Sequence, residues 1–189
     1  WMFDATETHQ TQKEDGYHYA TGIRNAVALE WSDEADALYA VQHGRDQLNT
    51  LWPDMFTEQQ NALTPSEDFL LIRDGSNFGW PYTYYNGLKN QRMIAPEYGG
   101  DGIRTAEIGH YDTPIMAFPG HWAPNDLTFY EGNQFPDRYR HGAFVAFHGS
   151  WNRAPQPQAG YNIAFVPMSR EHPSGDYEIF ADGFPGVDT

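Results

Sequence analysis

Four short stretches hold the side chains with the most chemistry to offer. "GIRNAVALEW", Gly22 to Trp31, sets Arg24 and Asn25 directly before an alternating apolar run, and "QHGRD", Gln42 to Asp46, closes the next one. "GHWAPN", Gly120 to Asn125, and "FHGSWNR", Phe147 to Arg153, repeat the arrangement further along. Arginine is a planar, permanently charged fork and asparagine an amide donor, so the pair suits a carboxylate-bearing ligand. Without a ligand, Arg24 makes a salt bridge and Asn25 caps a turn. His43, at a strand end, can act as a base or be satisfied by a backbone carbonyl. Asp46 can offer its carboxylate to a hard cation or form a turn. His121, Trp122, His148, Ser150, Trp151 and Arg153 complete the polar and aromatic set at these junctions. Tryptophan is large enough that packing is its default, and Trp122 reads that way; Trp151 stays open between packing and a ligand wall.

Such junctions need short strands to present them. Apolar residues recur with period two in short runs bounded by Gly, Pro, Asn and Asp, the strand signature. Strands are expected near Ala26 to Trp31, Ala37 to Gln42, Phe69 to Arg73, Ile115 to Phe118, Asp126 to Tyr130, Ala143 to Phe147, Ile163 to Pro167 and Tyr177 to Ala181. Thr57 to Leu63, "TEQQNAL", is the one helix-like exception, a turn or two inside a loop. The runs also repeat: "YATGIRN" (Tyr19 to Asn25), "MAFPGHWAPN" (Met116 to Asn125) and "FADGFPG" (Phe180 to Gly186) occupy corresponding places. Each unit is a series of about four short strands, which reads as a β-propeller blade. The fold expected is therefore all-β, with about two complete blades and two partial ones. The opening "WMFD" fits the third strand of a preceding unit. Residues 1–189 form a single partial propeller domain on this reading, a segment of a longer chain with both termini inside blades. Arg45 to Pro65 and Asn77 to Asp112 are insertions longer than ordinary connections.

Composition narrows the partners. Eleven Lys and Arg against 26 Asp and Glu give a formal charge of −15, which repels phosphate backbones and anionic membranes. Nucleic acid is an unsuitable partner; the acidity serves solubility or reflects a salty habitat. No run of about 18 apolar residues exists to span a membrane. Cysteine is absent, so disulfides and thiolate metal sites are excluded. The chain opens on "WMFDATETHQ", with no signal peptide visible.

Six stretches in order, "TGIRNAVALEW", "LYAVQHGRDQL", "DGSNFGWPYTYY", "IAPEYGG", "HWAPNDLTFY" and "AFHGSWNRAPQPQAGYNIAFVP", resemble the glucose/sorbosone dehydrogenase family in its sorbosone-dehydrogenase-like branch. The resemblance runs over nearly the whole chain. It implies a six-bladed propeller that oxidises a sugar hydroxyl or hydrated aldehyde, with pyrroloquinoline quinone (PQQ) accepting electrons, a calcium ion (Ca2+) holding the quinone, and an external electron acceptor. It also implies a periplasmic or secreted setting. By resemblance, Arg24 and Asn25 match the cofactor-binding pair, and the main-chain carbonyls of Gly44 and Arg45 face the calcium. The glucose-oxidising branch has proline where this chain has Arg45. His43 matches a cofactor neighbour, and His121, His148, Ser150, Trp151 and Arg153 stand where donors and an aromatic wall surround the quinone. His148 and Arg153 are the leading pair, because cationic groups stabilise a reduced, negatively charged cofactor. The family's general-base histidine belongs to an earlier blade, so residues 1–189 alone are expected to be inactive.

Other clusters carry less. Glu67 and Asp68 read as an ordinary polar strand edge, Tyr82, Tyr84 and Tyr85 as a sugar-stacking wall or a packed insertion, and Asp33 to Asp36 as a hairpin turn. No phosphate loop, His-Glu-x-x-His or Gly-x-Ser-x-Gly pattern occurs. Two alternatives stand beside the dehydrogenase: a calcium-dependent lactonase, which needs carboxylate and Asn ligands converging on one channel, and a non-catalytic propeller that binds a partner on its face.

Overall fold

A computed structural model describes residues 1–184. Its strands are β1 (Ala20–Thr21), β2 (Ala26–Ser32), β3 (Ala37–Gln42), β4 (Glu67–Ile72), β5 (Ser76–Asn77), β6 (Thr83–Asn86), β7 (Gln91–Ile94), β8 (Met116–Phe118), β9 (Pro124–Phe129), β10 (Ala143–Phe147), β11 (Asn162–Val166), β12 (Met168–Ser169), β13 (His172–Pro173) and β14 (Glu178–Ala181). Two short helices, α1 (Leu48–Leu51) and α2 (Glu58–Leu63), lie between β3 and β4. All eight strands expected from the period-two pattern are present.

Two four-stranded antiparallel sheets form the body, in the orders β2-β3-β4-β8 and β9-β10-β11-β14. Each is a blade whose strands follow one another in sequence, and β2 and β9, the first strand of each, lie side by side. Alternation places the side chains. Tyr39, Val41 and Phe69 of the first blade and Val145, Phe147 and Val166 of the second meet in one inter-blade core, while Ala40, Leu70 and Ile72 point the other way with Phe78. On the far face of the second blade, Phe144 and Phe165 pack with Tyr139. The hairpin between β2 and β3 turns where expected: Asp36 takes a left-handed φ of 49°, which Asp tolerates, and Ser32 Oγ accepts from Ala35 N at 3.3 Å.

The segment before β2 differs from expectation. Trp1 to Asp4 form no strand; Met2 meets Tyr17 in an isolated bridge, and Trp1 stacks on His18 at 4.6 Å. A strand needs a ladder of partners, and residues 1–25 find only that bridge and the two-residue parallel pairing of β1 with β5. In the third repeat copy, Pro185 and Gly186 lie outside the described residues.

Both insertions fold against the first blade. Thr57 caps α2 through a reciprocal capping box with Gln60, as Ser/Thr-x-x-Gln favours. Asn61 Oδ1 then accepts from Leu48 N at 2.7 Å, binding α2 to α1. The hairpin β6–β7 packs Tyr84 and Met93 against Leu48 and Phe56. Gly22 is required at the other contact: its φ is +72°, and a Cβ there would stand 2.2 Å from Gly79 N. This approach lets Trp80 N donate to Gly22 O at 2.9 Å and sets the Trp80 ring beneath the Arg24 guanidinium, 5.5 Å away.

Candidate functional site

The ends of β3, β9 and β10 enclose a cleft of about 420 Å³ at one end of the two blades. His43, Gly44, Asp46, Glu67, His121 and Asn125 line one part of it, and His148, Ser150, Trp151, Asn152 and Tyr161 the other.

Asp46 ties the lips together. It accepts from Arg24 Nη2 at 3.1 Å, from Asn152 Nδ2 at 2.9 Å and from His121 Nδ1 at 3.3 Å. Burial pushes its carboxyl up, but the His121 bond and the Arg24 charge outweigh it and leave the acid more readily ionised than an ordinary aspartic acid. His121 is buried, and its Nε2 lies 2.8 Å from the Asn61 carbonyl, so α2 fixes the ring from behind. Burial pulls the imidazole pKa down; the bonds to Asp46 and Asn61, two acceptors that need both ring nitrogens protonated, bring it above the ordinary value.

His43 Nε2 lies 3.1 Å from Pro124 O and 3.0 Å from Asn125 Oδ1. The proline carbonyl can only accept, which assigns the proton to Nε2 and leaves Nδ1 as the ring's proton acceptor. Arg24 Nη1 donates to Gly44 O at 2.6 Å, and Arg24 N to Gln42 Oε1 at 2.8 Å. The Gly44 carbonyl thus faces a positive charge instead of a strand partner. Position 44 must be glycine, since a Cβ would meet Ser66 O at 2.2 Å.

The expected residues converge on this end of the blades, with different parts to play. His43, Gly44, His121, His148, Ser150 and Trp151 line the cleft, and Arg24 stands at its edge. Trp151 lines the cleft and is 72% exposed, whereas Trp122 packs edge-on against Phe147 and Tyr177 as expected. Asn25 is exposed, and its carbonyl accepts from His43 N. Arg153 Nη1 donates to Gly120 O at 2.9 Å and its Nε to Pro157 O at 3.1 Å, so the guanidinium ties the Phe147 to Arg153 loop to the neighbouring one, beside the residues that line the cleft. Arg45 turns its side chain away, buried against Tyr84 in a two-pronged pair with Glu97 at 3.0 Å. A salt-bridged arginine thereby anchors the backbone where the glucose-oxidising branch is expected to use a rigid proline.

Sequence reasoning missed Glu67, Asn125 and Asn152. Glu67 is buried on the cleft floor and accepts from Gly44 N at 2.9 Å; burial pushes its carboxyl up. A polar pair opening a strand looks like an edge, and only the loops folding over it reveal otherwise. Tyr84 and Tyr85 are buried in the insertion, and Tyr82 is exposed, edge-on to Tyr98 at 4.7 Å. Among the described residues no three His, Asp or Glu side chains gather as a metal cluster, so a cation here would depend on main-chain oxygens. No helix among them is long and apolar enough to cross a membrane.

Antiparallel blades laid side by side, with a polar cleft at the ends of their strands, define an arc of a β-propeller. The chain belongs to the TrAA12-like family, matched over residues 2–179. It is 29% identical over 176 residues to an uncharacterized protein of Borreliella burgdorferi, covering 93% of this chain and 40% of that one. It is 28% identical over 164 residues to a pyrroloquinoline quinone-dependent pyranose dehydrogenase of Coprinopsis cinerea, covering 77% of this chain and 21% of that enzyme. The calcium structure of the Trichoderma reesei carbohydrate-active enzyme of family AA12 shares the fold at a TM-score of 0.62 and 18% identity, over 82% of this chain and 40% of the other. The chain therefore spans less than half the length of these relatives, and it is kin to PQQ-dependent sugar dehydrogenases.

Proposed function

We propose that these blades supply one wall of the site at which a sugar is oxidised by PQQ held on calcium. The observation that carries this reading is the meeting of Arg24, the Gly44 carbonyl and Asp46 at the mouth of the cleft. The donor set suits a planar tricarboxylate, which needs a charged fork and amide donors, given by Arg24, Asn125 and Asn152; a hard cation needs oxygens, which by the family resemblance the Gly44 and Arg45 carbonyls would give, the Gly44 oxygen sharing its second lone pair while it accepts from Arg24. When bound, PQQ would supply a two-electron acceptor for the sugar and calcium a Lewis acid beside it.

The residues of this chain then bind and orient. Arg24, backed by Trp80 and fixed by Asp46, presents its charge without rotating. His43 offers Nδ1 as an acceptor beside the bound group, because Nε2–H is committed to Pro124. His121, whose bonds to Asp46 and the Asn61 carbonyl favour its charged form, would set positive charge on the cleft floor to balance negative charge on a reduced cofactor. Trp151 and Tyr161 give the apolar faces on which a flat ring can lie. The proton of the sugar hydroxyl goes to a base contributed by another part of the protein, and reoxidation falls to an external acceptor in a periplasmic or secreted setting. The particular substrate class is an aldose or sugar aldehyde of the sorbosone type. The test is to load the full-length protein with calcium and PQQ and follow the bound-quinone absorbance: bleaching by a sugar supports the reading, and no bleaching by any aldose, ketose, polyol or aldosone overturns it.

A further inference from the structure

We infer that a second hollow, on the far side of Trp151 from the cleft, is a binding site for the further units of a neutral oligosaccharide. This trough holds about 300 Å³ between the helical insertion and the loop after β10. Gln47, Asn49, Thr50 and Glu58 line one bank, and Trp151 and Asn152 the other. Trp151 and Asn152 also line the cleft, so together they form the wall common to both hollows. The two are joined behind that wall as well, since Asn61 lines the trough while its carbonyl holds the cleft residue His121.

The chemistry of the trough selects its ligand. Glu58 is the single ionisable group among the described residues that line it, and no cation is present to attract an anion to a chain of net charge −15. One carboxylate is too few for a hard cation, which takes six or more oxygens. What remains are amides and hydroxyls, which donate and accept at once and so match a ligand that carries many hydroxyls. These groups are free to do so. The bonds that build the region are made by others: Asn61 Oδ1 accepts from Leu48 N, Thr57 and Gln60 cap α2, and Asn152 spends its Nδ2 on Asp46. The side chains of Gln47, Asn49, Thr50 and Glu58 are left without a partner among the described residues.

Trp151 supplies the face on which a sugar ring can lie. Its turn, Trp151–Arg153, is pinned on three sides: Ser150 Oγ accepts from Asn152 N at 3.2 Å, Asn152 Nδ2 donates to Asp46 Oδ1 at 2.9 Å, and Arg153 Nη1 donates to Gly120 O at 2.9 Å. A tryptophan on a fixed backbone and 72% exposed presents apolar area that needs little further ordering when a ligand arrives. With its terminal unit in the cleft, an oligosaccharide crosses this wall and lays its next units along the trough. The role given to the terminal unit rests on the function proposed above; the reading of the trough rests on its own residues.

The experiment titrates the full-length protein, without PQQ, with glucose, cellobiose, cellotriose, maltose and maltotriose, read by calorimetry and by NMR at the Asn49 and Thr50 amides and the Trp151 indole. At least one trisaccharide is expected to bind about tenfold more tightly than glucose and to shift all three signals. Asn49→Ala with Thr50→Ala, two changes that line the trough and not the cleft, is expected to remove that tenfold advantage and leave glucose binding unchanged, the loss of two hydrogen bonds. Equal affinity for glucose and every trisaccharide, or an advantage that survives the double variant, overturns the inference. Should the variant not fold, the wild-type spectra decide: trisaccharide shifts at Asn49 and Thr50 uphold the trough, and their absence overturns it. Failure of every sugar to bleach the quinone in the loaded protein overturns the proposed function alone, because the trough is judged by binding without the cofactor.

Discussion

Arg24 shows how a charge is made rigid. Its guanidinium donates to Gly44 O and Asp46 and lies over Trp80, contacts that use the planarity of the fork. Lysine at position 24 keeps the charge and loses the geometry. Arg24→Lys in the full-length protein is expected to weaken PQQ binding about tenfold with little change in melting temperature, read by quinone titration beside a thermal melt. Asp68 is a different case, buried and bonded to Ser66 Oγ at 2.6 Å and Gln42 Nε2 at 3.0 Å. Burial is the largest influence and raises its pKa to about 6. A carboxyl whose folded pKa lies above its unfolded value favours the folded state while protonated. That stabilisation is fully present below about 3.8 and disappears as pH rises through about 6. Stability of the wild-type protein is expected to decline over this window by on the order of 2 kcal/mol through Asp68, and Asp68→Asn to flatten that part of the curve. Urea unfolding at a series of pH values checks it; parallel wild-type and variant curves would contradict it.

At the scale of elements, the insertions act as braces for the site. Helix α2 is only six residues long and depends on its Thr57 cap, and its Asn61 carbonyl holds His121. Removing the cap should loosen a residue of the cleft from a distance. Thr57→Ala is expected to cost about 1 kcal/mol in urea unfolding and to broaden the His121 ring resonances in NMR spectra while those of His43 stay sharp. Equal sharpness of both rings would separate the helix from the site. The Arg45–Glu97 pair braces the same loop from the opposite side; with Arg45 buried, Glu97→Ala leaves an unpaired charge and is expected to destabilise by about 2 kcal/mol, less than a fully buried pair because Glu97 is half exposed.

Across the whole molecule, one blade face is covered and its opposite is not. Along β2, Ala28 and Ser32 are buried, whereas Val27, Leu29 and Trp31 are 46, 61 and 51% exposed. Leu29 and Trp31, with Trp1, Ile23 and Leu38, frame an apolar hollow of about 610 Å³. In a propeller such a face belongs against a neighbouring blade, and left in water it favours association. Residues 1–189 expressed alone are expected to self-associate and melt without a sharp transition, and Leu29→Lys with Trp31→Lys to restore monodispersity, as sedimentation velocity would show. A sharply melting wild-type monomer would mean that the arc is self-sufficient.

Period-two alternation determined the eight blade strands, because burying one strand face against a neighbouring blade demands apolar residues at every second position, and that demand is written locally. The Thr57 helix start and the Asp33 to Asp36 turn are local in the same sense. The family resemblance likewise rests on contiguous stretches, and through it Arg24, Gly44 and His148 were legible as members of one rim. The partners were not. That Arg153 spends its guanidinium on carbonyls, that Arg45 is paired with Glu97 52 positions away, and that Glu67 is a floor and not an edge all depend on which loops fold over which strand ends. Tertiary structure alone decides these, since a charged side chain takes its role from the donors and acceptors that packing brings within about 3 Å, and no spacing along the chain records them.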